Sequence, residues 1–402
     1  GCSEGNRSIT KWQGSGACMI QVFTQTSLSF DKMAGTRSLG SYSNCLGFFL
    51  FFLYFPHFIS VVDGDVQCLS ASGSPIDWFI VYKLPLLPGD KKYGSGKNFF
   101  YMDSNSPDWM FSSVEIGQSG HAIYNTLQQI YKNYTGTPDS MFLMYNDEKP
   151  HSHSAILSHG HTKGVVAFGK DTGFWLIHST PKFPQNQTEG YAWPKSAYDF
   201  GQTFLCISLS KKQMENVGIQ LQYNYPQIYA KYFPESLAAQ YPEMAAVAMD
   251  SPQKHPTKEP WYSEIGLTSL EGIDFWSFAK FSKFKADLYS PWLANCLGVD
   301  LFVETWQNGN KSEKLNSSCT TQFKVYNVEN VTFTNEATFI ESKDHAKWAI
   351  STSASKTWTC IGDINRMESQ FHRAGGTVCF QHPVVWKNFY MLIGKYETCP
   401  QH

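Results

Sequence analysis

The 402-residue chain is 42% hydrophobic and 16% aromatic, enough for a substantial core, which excludes wholesale disorder. Its length admits two domains or one large duplicated one. A formal charge of −2 at pH 7 excludes a standing basic surface for nucleic acid. Acid alters that, because protonating all twelve histidines takes the formal charge from −2 to +10. For imidazoles of ordinary pKa, roughly 6.5, much of that swing falls as the pH drops below neutrality.

The chain starts with Gly1, and Met33 reads as the start of translation. Arg37 then supplies a basic region and Cys45 to Ile59 an apolar run, ending near the small residue of Val62-Asp63-Gly64. This is the pattern of a secretory signal peptide. Pro56 and His57 interrupt a run barely long enough to span a bilayer, which argues against an anchor. Residues 1–64 are therefore set apart from the fold. Seven of the ten cysteines follow Gly64 with no Cys-x-x-Cys among them, so disulfides in an oxidising compartment are the expectation. Asn133, Asn186, Asn310, Asn316 and Asn330 each open an Asn-x-Ser/Thr glycosylation acceptor.

Beyond the leader, Trp78 to Leu84 and Met141 to Tyr145 are aromatic-rich apolar runs bounded by turn residues, and predict strands. Ser113 to Tyr134 between them has helical periodicity, and Asp147 to Leu157 is a polar loop. Phe204 to Leu209 predicts a strand, Lys211 to Tyr223 a helix, and Pro234 to Met249 another helix. A Lys- and Pro-containing loop, Ser251 to Pro260, follows. The second half predicts a helix over Asp274 to Leu297, strands at Leu301 to Trp306, Phe323 to Val328 and Thr377 to Gln381, and a helix from Val384 to Ile393. The expected organisation is an α/β fold of mixed sheets in two halves, 65–235 and 236–402.

Two short stretches carry the chemistry: Gly160-His161-Thr162-Lys163-Gly164 and Asp344-His345-Ala346-Lys347-Trp348. Each is a His-x-Lys opening a predicted β-hairpin, and each has a tryptophan, Trp175 or Trp358, placed 14 or 13 residues after the histidine. In a strand, residues i and i+2 share a face, so each His and Lys project together. Two such units around one cavity would supply two imidazoles, as nucleophile and general acid, and two ammoniums for phosphoryl oxygens.

These motifs resemble the deoxyribonuclease II family, the acid nuclease branch of the phospholipase D-like superfamily. The similarity extends through Pro75 to Pro85, Gly173 to Ser179, Ser277 to Phe284 and Cys360 to Arg366, and covers about Cys68 to Cys399. It implies a phospholipase D-like pseudo-dimer of two halves in one chain, hydrolysing double-stranded DNA without metal. His161, Lys163, His345 and Lys347 would be catalytic, with a phosphohistidine intermediate, His161 as the nucleophile, and 3′-phosphate and 5′-hydroxyl ends. The resemblance also implies disulfides Cys68–Cys206, Cys319–Cys399 and Cys360–Cys379, leaving Cys296 as a buried thiol, and a lysosomal or secreted address without stable membrane association.

The superfamily's Asp five residues after the Lys is replaced here by Phe168 and Thr352, so another group must orient the imidazoles, with Asp363 or Asp344 as candidates. The second copy keeps Gly362-Asp363-Ile364-Asn365, where the first has His178-Ser179-Thr180-Pro181. His178, Asp363 and Asn365 are therefore supporting candidates, although His178 also fits a core histidine and Asn365 a turn. Phe275 to Tyr289 interleaves Lys280 and Lys283 with phenylalanines, as in an amphipathic helix whose lysines face DNA or water. A metal site is not expected, since His151, His153, His159 and His161 lack a His-Glu-x-x-His arrangement. Two other readings stand beside a nuclease: a phosphodiesterase for another substrate, marked by an apolar pocket, and an inactive secreted binding or toxin-like protein.

Overall fold

The computed structural model describes residues 65–400 apart from 132, 133, 135, 309, 310, 335 and 336. The expected signal peptide and the acceptors Asn133 and Asn310 lie outside the described residues. Among the remaining acceptors, Asn316 is exposed, and Asn186 and Asn330 are half-buried.

The first sheet is built from β1 (Trp78–Lys83), β2 (Phe99–Asp103), β3 (Ser106–Phe111), β4 (Met141–Asn146), β5 (Lys163–Phe168), β6 (Thr172–His178), β7 (Gln202–Ser210) and β8 (Ile228–Tyr232). The second comprises β9 (Tyr262–Thr268), β10 (Asp274–Lys280), β11 (Leu301–Thr305), β12 (Val325–Thr334), β13 (Ala337–Ile340), β14 (Lys347–Ser351), β15 (Trp358–Gly362), β16 (Gly375–Gln381) and β17 (Ile393–Tyr396). The helices are α1 (Ala122–Tyr131), α2 (Met214–Asn224), α3 (Glu235–Ala238), α4 (Pro242–Ala248), α5 (Ala294–Leu297) and α6 (Pro383–Tyr390). Among the described residues, no helix is long and apolar enough to cross a membrane.

The duplication is written into the strand order. Six strands of the first sheet run β2-β1-β7-β6-β5-β4, all antiparallel, and six of the second run β9-β10-β16-β15-β14-β11, also all antiparallel. Each His-x-Lys hairpin, β5–β6 or β14–β15, sits at the same place in that order.

Alternation sorts the side chains into three layers. Trp78, Ile80 and Tyr82 of β1 join Trp348, Ile350 and Phe380 of the second sheet in one core between the sheets. Phe79 and Val81 point the other way, toward Ile123, Leu127 and Ile130 of α1. The outer face of the second sheet is covered by Leu288, Trp292, Leu293 and Leu297. Strands buried on both faces read as unbroken apolar runs, which is why β1 and β4 stand out in the sequence.

The same double burial misleads the first part of the expected helix over Asp274 to Leu297, which is strand β10, while Tyr289–Leu293 and Ala294–Leu297 at its end are helical. Phe275 faces the inter-sheet core and Phe278 the outer one, so apolar residues three apart belong to a strand with two buried faces. Elsewhere boundaries shrink for local reasons. Helix α1 begins only after Gly120, whose φ of +83° belongs to the left-handed region. The expected helix over Pro234 to Met249 is two helices, because Pro242 lacks the N–H to continue the first and instead opens α4.

Disulfides join Cys68 to Cys206, Cys319 to Cys399 and Cys360 to Cys379, the pairing expected. The first ties the start of the described chain to β7, and the last joins directly opposed residues of β15 and β16. Cys296 is half-buried rather than buried as expected.

Candidate active site

The two His-x-Lys motifs meet at one cavity of about 400 Å³, lined by His161, Lys163, His345 and Asn365 among others. The imidazole centroids are 6.4 Å apart. In both motifs the lysine is the first strand residue and the histidine lies just before the strand. Each imidazole is thus left at the end of its own strand, β5 or β14.

Each ring is oriented by the opposite half. His161 Nδ1 lies 2.5 Å from the main-chain carbonyl of Asp363, and His345 Nδ1 lies 2.8 Å from that of Ser179. Carbonyls only accept, so an Nδ1 bonded to one carries the proton and leaves the lone pair of the neutral ring on Nε2; His345 Nδ1 also has Lys347 Nζ 3.1 Å away. Ser179 and Asp363 each follow the last residue of a matching strand, β6 or β15. The Asp missing from the superfamily pattern is thus replaced by two main-chain carbonyls, not by the carboxylate of Asp363 or Asp344. The Asp363 carboxylate accepts from Gly376 N at 2.8 Å and from the Thr162 hydroxyl. Burial pushes it up to about 6. Asp344 accepts from the Tyr82 hydroxyl and from Ala346 N instead.

The main chain also crosses between halves. His161 N donates to Ala374 O at 2.8 Å, and His345 N donates to Gly201 O at 2.9 Å. Burial, reinforced by Lys163 and Lys347, holds the His161 imidazole well below its ordinary 6.5. Burial and the same two lysines, Lys347 first, do likewise for His345.

The lysines differ in their surroundings. Lys163 Nζ pairs with Asp147 Oδ1 at 2.5 Å, and Arg373 pairs with the other oxygen at 3.2 Å. Burial alone would push the Asp147 carboxyl up, but Lys163 and Arg373 outweigh it and hold it below the usual carboxylate range. Lys347 is buried behind His345, with Nζ donating to the His345 carbonyl at 2.6 Å. Burial lowers its pKa well below 10.5. Among the described residues, no group of three or more His, Cys, Asp or Glu side chains is arranged to hold a metal ion.

Of the supporting candidates, Asn365 is buried against the cavity, and its Oδ1 has no hydrogen-bond partner among the described residues. His178 lies in the core, its ring stacked on Phe204 at 5.3 Å and its Nδ1 accepting from Thr180 N at 3.2 Å. Burial lowers it to about 3. It therefore shapes the segment bearing Ser179 rather than the cavity wall. Lys280, expected on a helix with its lysines facing DNA or water, is instead the fully buried end of β10. Lys283 is exposed and stands over the Trp261 ring at 4.5 Å.

Sequence reasoning missed Arg373, Gln202, Phe200 and Trp306, all on the cavity wall, and the pairing role of Asp147. Trp306 lies 4.7 Å from the His345 ring, centroid to centroid. Asp147 and Arg373 are 226 residues apart, and no local pattern joins them. The expectation of a twelve-histidine charge swing also shrinks. Burial comes first in holding His121, His159, His161, His178, His345 and His382 below 6.5, so mild acid protonates only part of the set.

A sequence profile of the family Deoxyribonuclease II matches residues 67–399. Plancitoxin-1 of Acanthaster planci is 42% identical over 339 residues, covering 83% of this chain and 92% of that protein. Deoxyribonuclease-2-alpha of Mus musculus is 41% identical over 339 residues, covering 83% and 94%. Deoxyribonuclease-2-beta of Homo sapiens is 33% identical over 336 residues, covering 83% and 92%. On the profile match and these identities, this chain belongs to the deoxyribonuclease II family.

Proposed function

We propose that this enzyme is an acid endonuclease that hydrolyses double-stranded DNA without a metal ion. The observation that carries the reading is the pair of imidazoles at one cavity, each with Nδ1–H committed to a carbonyl of the opposite half. A lone pair on one Nε2 and a proton on the other are what a two-step displacement at phosphorus requires.

In the first step His161 Nε2 attacks phosphorus and forms the P–N bond. The P–O5′ bond breaks, and protonated His345 gives its proton to the departing 5′ oxygen. In the second step neutral His345 takes a proton from water as the water oxygen attacks phosphorus. The P–N bond then breaks, leaving a 3′-phosphate and a 5′-hydroxyl end. Attack is assigned to His161 by analogy with the family. Lys163 and Arg373, held in place by Asp147, offer positive charge to the phosphoryl oxygens.

Acid enters through the free site. Burial and the lysines favour two neutral imidazoles, so the cationic acid must be supplied by lower pH or by the phosphodiester's own negative charge. The disulfides support folding in an oxidising compartment, and we assign the protein to the secretory pathway, as a lysosomal or secreted enzyme.

The test is nicking of plasmid from pH 4 to 8 in excess chelator, with wild type, His161→Ala and His345→Ala. Cleavage that peaks in acid and vanishes in both variants is the expected result. A requirement for added divalent ion would overturn the mechanism. Absence of cleavage at every pH would move the assignment to a different phosphodiester or to a binding protein.

A further inference from the structure

Two buried lysines stand outside the chemistry just described, and they occupy matching places. Lys83 is the last residue of β1 and Lys280 the last of β10, strands equivalent in the repeated order. Both are fully buried. Neither has a carboxylate within ion-pair distance among the described residues. Each instead faces three main-chain carbonyls, matching the three donors of an ammonium. Lys83 Nζ donates to Gly96 O at 3.1 Å, Ala197 O at 2.5 Å and Tyr198 O at 3.1 Å. Lys280 Nζ donates to Gln370 O at 2.8 Å, Phe371 O at 3.4 Å and Arg373 O at 2.6 Å.

The segments so held continue to carbonyls that hydrogen-bond the main chain of the two histidines. Ala197 and Phe200 line the cavity, and Gly201 O receives the main-chain N–H of His345. Gln370 and Arg373 line the opposite wall, and Ala374 O receives the main-chain N–H of His161. Lys83 thus secures the seat of His345, and Lys280 the seat of His161. An isolated buried cation is costly, and an apolar side chain would fill the same space without that cost. Stability alone does not account for two of them in equivalent positions.

We propose that Lys83 and Lys280 are a matched pair of positioning residues, each holding the loop that seats the catalytic histidine contributed by the opposite half. The proposal rests on the reading of this cavity as the catalytic centre. Acid conditions suit such a clamp. Burial lowers both lysines to about 7, against the opposing pull of Asp344 and Asp199 on Lys83 and of Asp287 and Asp363 on Lys280, where Arg373 adds to the lowering. Below that pH each ammonium offers three donors to three carbonyls. Above it each amine keeps two and leaves one carbonyl unpartnered.

The experiment uses the full chain, with Lys83→Met, Lys280→Met and the milder Lys→Gln at each position. His161→Ala serves as the control for the catalytic reading. The expected result is a fall in kcat of about tenfold to a hundredfold, the scale of an ångström-level misplacement, with KM changed much less. In addition, amide exchange should quicken in residues 195–201 for Lys83→Met alone and in 368–374 for Lys280→Met alone. Retained kcat in folded variants would overturn the proposal. So would exchange that quickens throughout both sheets in step with a lower Tm, which would mark a purely structural role. Wild-type activity that survives His161→Ala would instead sink the catalytic reading itself.

Discussion

His161 and Asp363 lie 202 residues apart in the chain, yet the imidazole of the first donates to the main-chain carbonyl of the second at 2.5 Å. His345 and Ser179 repeat the arrangement across the other diagonal. Each half carries one imidazole of the cavity and the carbonyl that orients its counterpart, so neither half completes the pair alone.

Acid dependence follows from the imidazoles. Both are held below 6.5 by burial first and then by neighbouring lysines. The general acid must be protonated, so kcat/KM should rise as the pH falls below 6.5 and decline again once both rings carry protons. Stability should move the opposite way. The unfolded chain takes up protons that the buried rings refuse, so their contribution is present above the unfolded pKa and is lost as the pH falls. Initial rates and Tm over one pH series check both, and a rate unchanged between pH 5 and 8 would sink the account.

Asp147 is the counter-charge for Lys163 and Arg373. Its carboxyl is held below the usual range, so it stays ionised in mild acid and the pairing survives there. Asp147→Asn leaves two buried cations without that partner, and a stability loss of about 3–5 kcal/mol is expected by denaturant unfolding. An unchanged unfolding midpoint would show that the two cations need no carboxylate.

His178 acts at one remove. Its Nδ1 receives the N–H of Thr180, and the intervening Ser179 supplies the carbonyl that orients His345. His178→Phe keeps an aromatic ring against Phe204 but removes that acceptor. A loss of about a hundredfold or less in kcat is expected, with KM little changed, because geometry rather than binding is disturbed. Full activity in the variant would show that Ser179 holds its place unaided.

Asn365 offers, at the cavity wall, a buried carbonyl oxygen with no partner among the described residues. Such an atom has an acceptor free for a donor on substrate or water. Asn365→Leu should lower kcat/KM by about tenfold to a hundredfold, the scale of one lost hydrogen bond in a desolvated site. Retained kcat/KM with a higher Tm would mark Asn365 as a structural turn residue.

Much was legible in the chain itself. The repeated His-x-Lys needed only two-residue periodicity to mark a duplicated site, and strands such as β1 announced themselves as apolar runs because both their faces are buried. The disulfide pairing came through resemblance, and cysteine spacing alone left it open. What local pattern could not reveal was every relationship across the two sheets. A carbonyl is present at every residue, so nothing in the letters distinguishes those of Ser179 and Asp363 as the ones that orient the rings. Lys280 read as a solvated helix residue because a strand with two buried faces mimics helical spacing. The residue types thus set the available chemistry, while the packing of one sheet on the other decided which lysines reach the cavity, which are buried against main-chain carbonyls, and which nitrogen of each imidazole faces a carbonyl.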